Sequence, residues 1–285
     1  MEGGPYSYRE KSDGSPLKPQ KRVGIPQGLL FNDYYPFFQA FFEELGFEVV
    51  PSRRTDKRII SLGIEKTVSE PCFPVKVAHG HAASLLEEGL DFLFLPRIST
   101  TEKPLGNYKT CITCPYIHAA PDMFRHALGI DKTKVRLLSP TFHFNLGYKH
   151  LLSVLRELGR ELNRNPGEIK RALNKALLVL EDFKERIMKK GEEIFGSLAE
   201  GKGAGEERAF VIIGKPYAVY DPLLNMDIGK KIRDEGHLAI PVDFLPLEEK
   251  DLSDSFENLY AAQGQKSYLR RGTSPEIRTS IWLWP

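Results

Sequence analysis

The sequence predicts an α/β protein with two doubly wound parallel-sheet domains joined by a long helical connection, the second domain being incomplete. Two β-α-β units, one near each end of the chain, are the main observation behind this prediction. A long charged region with apolar residues at helical spacing lies between them. Because strands joined by a crossover helix pair in parallel with a right-handed connection, each unit predicts its own parallel sheet.

The first β-α-β unit occupies residues 22–51. Its short apolar run 22–26 predicts a strand. Asn32 and Asp33 are expected to cap a helix over 34–45, where apolar residues recur at helical spacing. A glycine ends that helix, and a second apolar run returns the chain to the sheet. This unit predicts the start of the first doubly wound domain.

The second unit occupies residues 209–242 and follows the same plan. A strand over 209–213 leads into a proline-containing turn with Lys215 and Tyr217. Asp221 is expected to start the crossover helix, which a glycine closes before the next apolar strand. The two units therefore align element by element, which favours two related half-domains.

Composition and these elements divide the chain into five segments. They are a disordered leader over 1–20, a first α/β domain over 21–147 with the cysteines, a helical connection over 148–200, a partial second α/β domain over 201–266, and an aberrant tail over 267–285. The leader is polar and lacks an apolar signal core. A glycine-rich stretch at 201–205 gives the clearest boundary.

The overall composition is that of an ordinary globular protein. Of 285 residues, 41% are hydrophobic and 27% are charged, and the formal net charge is +2. This balance predicts neither a nucleic-acid partner nor a membrane-surface partner. No apolar run approaches the ~18 residues of a membrane span. Few cysteines and no signal core predict a cytoplasmic protein with reduced thiols.

Three cysteines form the most informative pattern in the sequence. Cys111 and Cys114 make a Cys-x-x-Cys pair, and Cys72 lies in a similarly proline-flanked turn. Two cysteines at this spacing can direct their sulfurs at one ion. A third ligand from a separate loop leaves one coordination position open, as a reactive centre requires. The pattern therefore favours a metal-cluster site.

Three other interpretations of the cysteines remain open. A redox dithiol normally opens a helix directly after a strand, whereas this pair lies well beyond the strand-like run 91–95. Structural zinc needs a fourth ligand, which His79, His81 or His118 could supply. Free cysteines also pack as small apolar residues, so inert buried thiols are the third interpretation.

Five further residues are candidates for chemistry near the cysteines. Glu70, His79 and His81 are candidate catalytic groups, although a helix cap or satisfied core histidines would explain them equally. Lys215 and Tyr217 follow a predicted strand and are candidate substrate-binding residues, with a plain surface turn as the alternative.

Several familiar motifs are missing from the sequence. It has no Gly-x-Gly-x-x-Gly and no P-loop, so any ATP hydrolysis is expected from a partner protein. It also has no Gly-x-Ser-x-Gly elbow and no His-Glu-x-x-His helix, which leaves hydrolase hypotheses without a starting residue.

Three segments carry a resemblance to a known family. The segment 69–81, the loop 111–116, and the turn 214–217 with 221–226 occur in the order found in the acyl-CoA dehydratase activase-related branch of the 2-hydroxyacyl-CoA dehydratase family. The chain resembles this branch from about residue 22 to residue 265.

The resemblance implies a fold, a cofactor and a function. It implies two flavodoxin-like domains and an oxygen-sensitive iron-sulfur cluster, most simply of the 4Fe-4S type, at Cys72, Cys111 and Cys114. It further implies low-potential electron transfer or radical dehydration of a CoA thioester, with an ATP-hydrolysing activase as partner and a dimer as a candidate assembly. An electron-relay partner without a substrate and a zinc-stabilised α/β binding module are the alternative classes.

The end of the sequence departs from the resemblance. In similar proteins the chain continues into a helix, a strand and a Gly-Cys-Gly-Pro-Asp loop, whereas here an irregular tail contains both tryptophans. We expect a frameshift near Gln265, which would remove one cluster ligand and leave Trp282 and Trp284 exposed. A natural, divergent surface tail is the alternative.

Overall fold

The computed structural model describes residues 21–102, 108, 110–199, 209–245 and 280–282. Within them the strands are β1 (Arg22–Ile25), β2 (Glu48–Pro51), β3 (Phe92–Phe94), β4 (Arg97–Thr100), β5 (Arg136–Leu138), β6 (Thr141–His143), β7 (Ala209–Ile213), β8 (Leu238–Pro241) and β9 (Ser280–Trp282). The α-helices are α1 (Phe31–Glu44), α2 (Lys57–Lys66), α3 (Phe73–Leu85), α4 (Pro115–Ala127), α5 (Gly147–Glu161), α6 (Pro166–Ala199), α7 (Pro216–Val219) and α8 (Ile228–Asp234).

The first domain is built on a four-stranded parallel sheet in the order β2-β1-β3-β5. Alternate residues of β3 and the chain just after it point to opposite faces. Phe92 and Phe94 join a core with α1, α5 and α6. Leu93 and Leu95 join a second core with α3 and α4. Helices therefore cover both faces, and the predicted α/β class with parallel sheets is confirmed.

The core on the α1 side is dominated by phenylalanine rings. The Phe38 ring lies 4.8 Å from the Phe94 ring and 5.3 Å from the Phe142 ring, centroid to centroid. Phe42 packs on Phe94 at 4.9 Å in an edge-on arrangement. Such edge-on contacts add to the free energy of burial and fix the position of α1 on the sheet. Strands β4 and β6 form a separate two-stranded parallel sheet beside this core.

The second sheet has the order β8-β7-β9, and both of its pairings are parallel. Its third strand, Ser280–Trp282, belongs to the segment predicted as an aberrant tail, and Ile281 pairs with Ile212. The rest of that segment lies outside the described residues. The frameshift hypothesis, the exposure of the tryptophans and the domain boundaries stay predictions.

The long helix α6 connects the two sheets. Its first half packs on α1 and α5 through residues such as Leu173 and Leu180. Its last turns carry Phe195, which packs against Val211 and Val242 of the second domain. The helical connection is thus a shared support for both domains.

Three local predictions were wrong or incomplete. Helix α1 begins at Phe31, so Asn32 and Asp33 lie in its first turn and do not cap it. Helix α2 was not predicted; the Asp56 carboxylate caps it by accepting the Ile59 amide at 2.8 Å. The helix expected from Asp221 is a series of turns followed by α8.

No helix among the described residues combines the length and the apolar character needed to cross a membrane.

Candidate functional site

A cleft of about 1300 Å³ lies between the first domain, α6 and the second domain. The chain segments after β1, β2 and β7 all reach it, so it lies at the carboxyl edges of the sheets, where doubly wound proteins bind ligands. Residues that line it include Gln27, Asp33, Thr55, Pro74, Tyr217 and Asp221.

Cys72 lies at the start of α3, close to this edge. It is the residue before the first turn of the helix, has an extended backbone and is half-buried. Pro74 occupies the first turn, where its missing N–H costs no helical hydrogen bond. Cys72 thus stands at the amino end of α3, at the positive end of the helix dipole.

Cys114 occupies the equivalent position at the start of α4. It also precedes the first turn, is half-buried, and is followed directly by Pro115. The Cys114 carbonyl accepts the Ile117 amide at 2.9 Å, as the Cys72 carbonyl accepts the Val75 amide at 3.0 Å. Two cysteines therefore stand at the amino ends of two helices on the same edge of the sheet.

Tyr217 of the second domain lies within electrostatic range of both of these cysteines. Only 5% of its surface is exposed. Burial raises the pKa of its phenol above the usual value, and electrostatic interaction with Cys72 and Cys114 raises it further. Tyr217 is therefore not part of a plain surface turn. Lys215 precedes α7, and its Nζ lies 5.8 Å from the centre of the Tyr217 ring.

Cys111 has a different environment. It is 1% exposed, and its Sγ lies 3.7 Å from the Thr101 carbonyl oxygen. Burial raises the pKa of its thiol, and the Glu102 carboxylate acts in the same direction. Among the described residues, no three His, Cys, Asp or Glu side chains form a group that could hold a metal ion. Cys72 and Cys114 thus lie within electrostatic range of Tyr217, whereas Cys111 lies against the end of β4.

His81 is fully buried and lies within a chain of hydrogen bonds. Its Nδ1 is 2.9 Å from the Ser52 hydroxyl, and its Nε2 is 3.0 Å from the Thr55 hydroxyl. Thr55 also donates to the Asp221 carboxylate. Burial lowers the pKa of His81 to about 4, opposed by the nearby carboxylates of Asp221 and Asp56.

His79 is a packing residue of α3. Its Nδ1 lies 2.8 Å from the Val75 carbonyl, and its ring lies 4.2 Å from the Phe124 ring. Burial lowers its pKa. Both contacts belong to the core on the α3 side of the sheet. The surroundings of His79 are therefore those of a core histidine whose hydrogen bonding is satisfied.

Glu70 points to solvent, with its side chain 89% exposed and paired with Lys76. No contact of this carboxylate reaches Cys72 or the cleft among the described residues. A plain surface ion pair of this kind stabilises a fold by little. Glu70 is thus the candidate with the least structural support for a catalytic role.

Sequence reasoning missed two groups near the cleft. Tyr34 is buried and donates to Glu102 at 3.2 Å, and Lys184 of α6 also contacts Glu102. Burial raises the pKa of Tyr34 well above its usual value. Ser52 and Thr55, which contact His81, carry no motif that would single them out. The local sequence offered one clue to this region, Asp56, which caps α2 and directly follows Thr55.

The fold and the cleft define an α/β protein with a candidate site between two parallel-sheet domains, where a buried tyrosine lies within electrostatic range of two cysteines at helix amino ends. The chain belongs to the family described as CoA enzyme activase uncharacterised domain (DUF2229), whose model matches residues 22–245. This supports the activase-related branch inferred from the sequence. No curated protein and no solved structure matches the chain.

Proposed function

We propose that this chain is an iron-sulfur component of an acyl-CoA dehydratase system. It would act with an ATP-hydrolysing activase in low-potential electron transfer or in radical dehydration of a CoA thioester. The main support is the position of Cys72 and Cys114 at the amino ends of two helices, within electrostatic range of Tyr217, which lines the cleft between the two domains. The family match adds the link to CoA enzyme activation.

Two of the three proposed cluster ligands have surroundings that suit the role. Cys72 and Cys114 each stand at the amino end of a helix and are only half-buried, so both sulfurs are open to an iron-sulfur cluster. Cys111 suits it less well, because its buried thiol contacts the Thr101 carbonyl. To join the ligand set, Cys111 would have to leave that contact.

Residues that line the cleft support the second part of the proposal, the binding of a CoA thioester. When bound, a thiolate-held cluster supplies an electron and an iron that can act as a Lewis acid. The raised pKa of Tyr217 keeps its phenol protonated, so it can donate a hydrogen bond to a bound acyl group. Arg54 and Lys175 line the cleft and offer positive charge to the phosphates of a CoA thioester. A cleft of about 1300 Å³ exceeds an ordinary small-ligand pocket.

Metal and sulfide analysis of anaerobically purified protein tests the cofactor. We expect a brown protein with iron and acid-labile sulfide in comparable amounts, whose visible spectrum bleaches in air. Cys72→Ser and Cys114→Ser should each lower both contents, because each removes a thiolate ligand. Thr67→Ser keeps the hydroxyl that donates to the Gly63 carbonyl and should leave the contents unchanged.

Three outcomes would count against parts of this proposal. A colourless protein with one zinc per chain would end the iron-sulfur hypothesis in favour of a zinc-stabilised module. A Cys111→Ser variant with a full, stable cluster would remove Cys111 from the ligand set. An intact cluster without turnover of 2-hydroxyacyl-CoA thioesters, in the presence of an activase, ATP and a reductant, would favour an electron relay over an enzyme.

A further inference from the structure

A continuous chain of hydrogen bonds runs from the first domain into the second through His81. The backbone amide of Gln27 donates to the Ser52 hydroxyl at 2.8 Å, and the Ser52 hydroxyl oxygen lies 2.9 Å from His81 Nδ1. His81 Nε2 lies 3.0 Å from the Thr55 hydroxyl, which contacts Asp221 of the second domain. Thr55 and Asp221 are 166 positions apart in the sequence.

The Asp221 end of this chain determines its direction. The Asp221 carboxylate can only accept, so the Thr55 hydroxyl donates to it. If Thr55 donated to His81 instead, its oxygen would face the carboxylate with no proton between them. Ser52 therefore donates to Nδ1, Nε2–H donates to Thr55, and Thr55 donates to Asp221. His81 is a neutral imidazole with its proton on Nε2.

Asp221 links this chain to the position of Tyr217. Its other carboxylate oxygen accepts the Leu223 amide at 2.9 Å and the Leu224 amide at 3.1 Å, which shapes the turn after α7. The Asn225 side chain then donates to the Val219 carbonyl at 2.8 Å, tying that turn back to α7. Contacts that fix the position of Asp221 therefore also restrain α7, the helix that carries Tyr217.

We propose that His81 is an inter-domain positioning residue, which bridges Ser52 and Thr55 in the hydrogen-bond chain that holds Asp221, and through it Tyr217, against the first domain. Burial of the ring keeps it neutral around pH 7, so the chain persists under ordinary conditions. The significance of this position for the cysteines rests on the proposed function. The link between the domains rests only on the contacts above.

Histidine NMR on the full chain, labelled with ¹⁵N, tests the direction of the chain. The sequence has 7 histidines, and loss of one signal in His81→Gln assigns His81. We expect Nε2 to be protonated and Nδ1 to be unprotonated. In Asp221→Asn, the new amide donates to Thr55, so Thr55 donates to Nε2 and the proton moves to Nδ1. The substituted side chain keeps one oxygen for the two backbone amides of the turn, which preserves the fold.

An Nδ1–H tautomer in the wild type would overturn the proposal. The same spectra work with or without a metal cluster. An Nε2–H signal in a protein without iron would leave this inference standing while the proposed function fails. A protein that holds a cluster but shows no Nε2–H signal would support the proposed function and contradict this inference.

Hydrogen exchange measured by mass spectrometry tests the positioning itself. Thr55→Val removes the bridging hydroxyl without changing the size of the side chain, and Thr55→Ser restores it. We expect peptides that cover 216–226 to exchange about ten-fold faster in Thr55→Val than in the wild type, and Thr55→Ser to recover most of the protection. Equal exchange in wild type and Thr55→Val would show that the chain does not position this segment.

Discussion

At the scale of single residues, the buried hydrogen-bond partners decide what His81 can do. Burial removes the water that would solvate an imidazolium, so the ring stays neutral although Asp221 and Asp56 favour its charged form. A neutral ring has one donor and one acceptor, which matches the hydroxyls of Thr55 and Ser52. His81 is thus suited to holding two domains together, whereas His79 on the same helix is occupied by local contacts.

The pKa of His81 predicts a loss of stability in acid. It is lowered from 6.5 to about 4 in the folded protein, so between these values the unfolded chain binds a proton that the folded chain does not. Stability therefore falls as the pH drops through 6.5, and this contribution levels off below about 4. From pH 7 to pH 5, we expect the free energy of unfolding to fall by about 2 kcal/mol more in the wild type than in His81→Gln.

Urea unfolding at both pH values measures that difference. The variant is its own control, because every other titrating group, including His79, is present in both proteins. Parallel changes in the two proteins would contradict the lowered pKa of His81.

At the scale of elements, close contact between α2 and α3 positions Cys72. A Cβ on Gly80 would lie 1.9 Å from the Ile59 carbonyl oxygen, and a Cβ on Gly63 would lie 2.1 Å from the Lys76 carbonyl oxygen. The two helix backbones therefore touch where they cross. Because α3 starts at Cys72, this crossing helps to set where the thiol stands at the sheet edge.

We expect Gly80→Ala to lower the free energy of unfolding by about 1–3 kcal/mol, since the added methyl must push the two backbones apart. Gly196→Ala in α6 is a matched control, because a Cβ there meets no atom within 4 Å. That change should be neutral or stabilising by up to about 1 kcal/mol. Urea unfolding curves with equal midpoints for Gly80→Ala and the wild type would refute the close crossing.

At the scale of the whole molecule, α6 holds the second domain in place through a similar contact. A Cβ on Gly191 would lie 1.9 Å from the carbonyl oxygen of Phe244, in the short turn after β8. Phe195, one turn further along, packs into the core of the second domain. The cleft therefore depends on two connections, the α6 contact on one side and the Thr55 to Asp221 bond on the other.

Gly191→Val should loosen the second domain and leave the first intact. We expect peptides from β7 and β8 to exchange hydrogen faster by an amount that corresponds to about 1–3 kcal/mol, while peptides from α1 and β3 keep their wild-type protection. Gly196→Val introduces the same side chain at an open position of the same helix. Unchanged exchange in β7 and β8 would rule out this docking contact.

The sequence by itself determined the α/β class and most of the strands. Short apolar runs at 22–26 and 209–213 are strands because a strand buried on both faces needs apolar residues in succession. The sequence also identified the cysteines, since their number and spacing are visible without a fold. It missed α2, whose start depends on one aspartate cap, and it placed a cap at Asn32 that the packing of α1 does not use.

Only the tertiary structure decided which of these residues meet. Tyr217 is buried where α7 of the second domain packs against α1 of the first, and Cys111 is buried where its loop pairs with β4. Thr55 reaches Asp221 across 166 positions, a separation that no local pattern can encode. Periodicity and capping act over a few residues, whereas a site between two domains depends on how whole sheets are supported, here by α6.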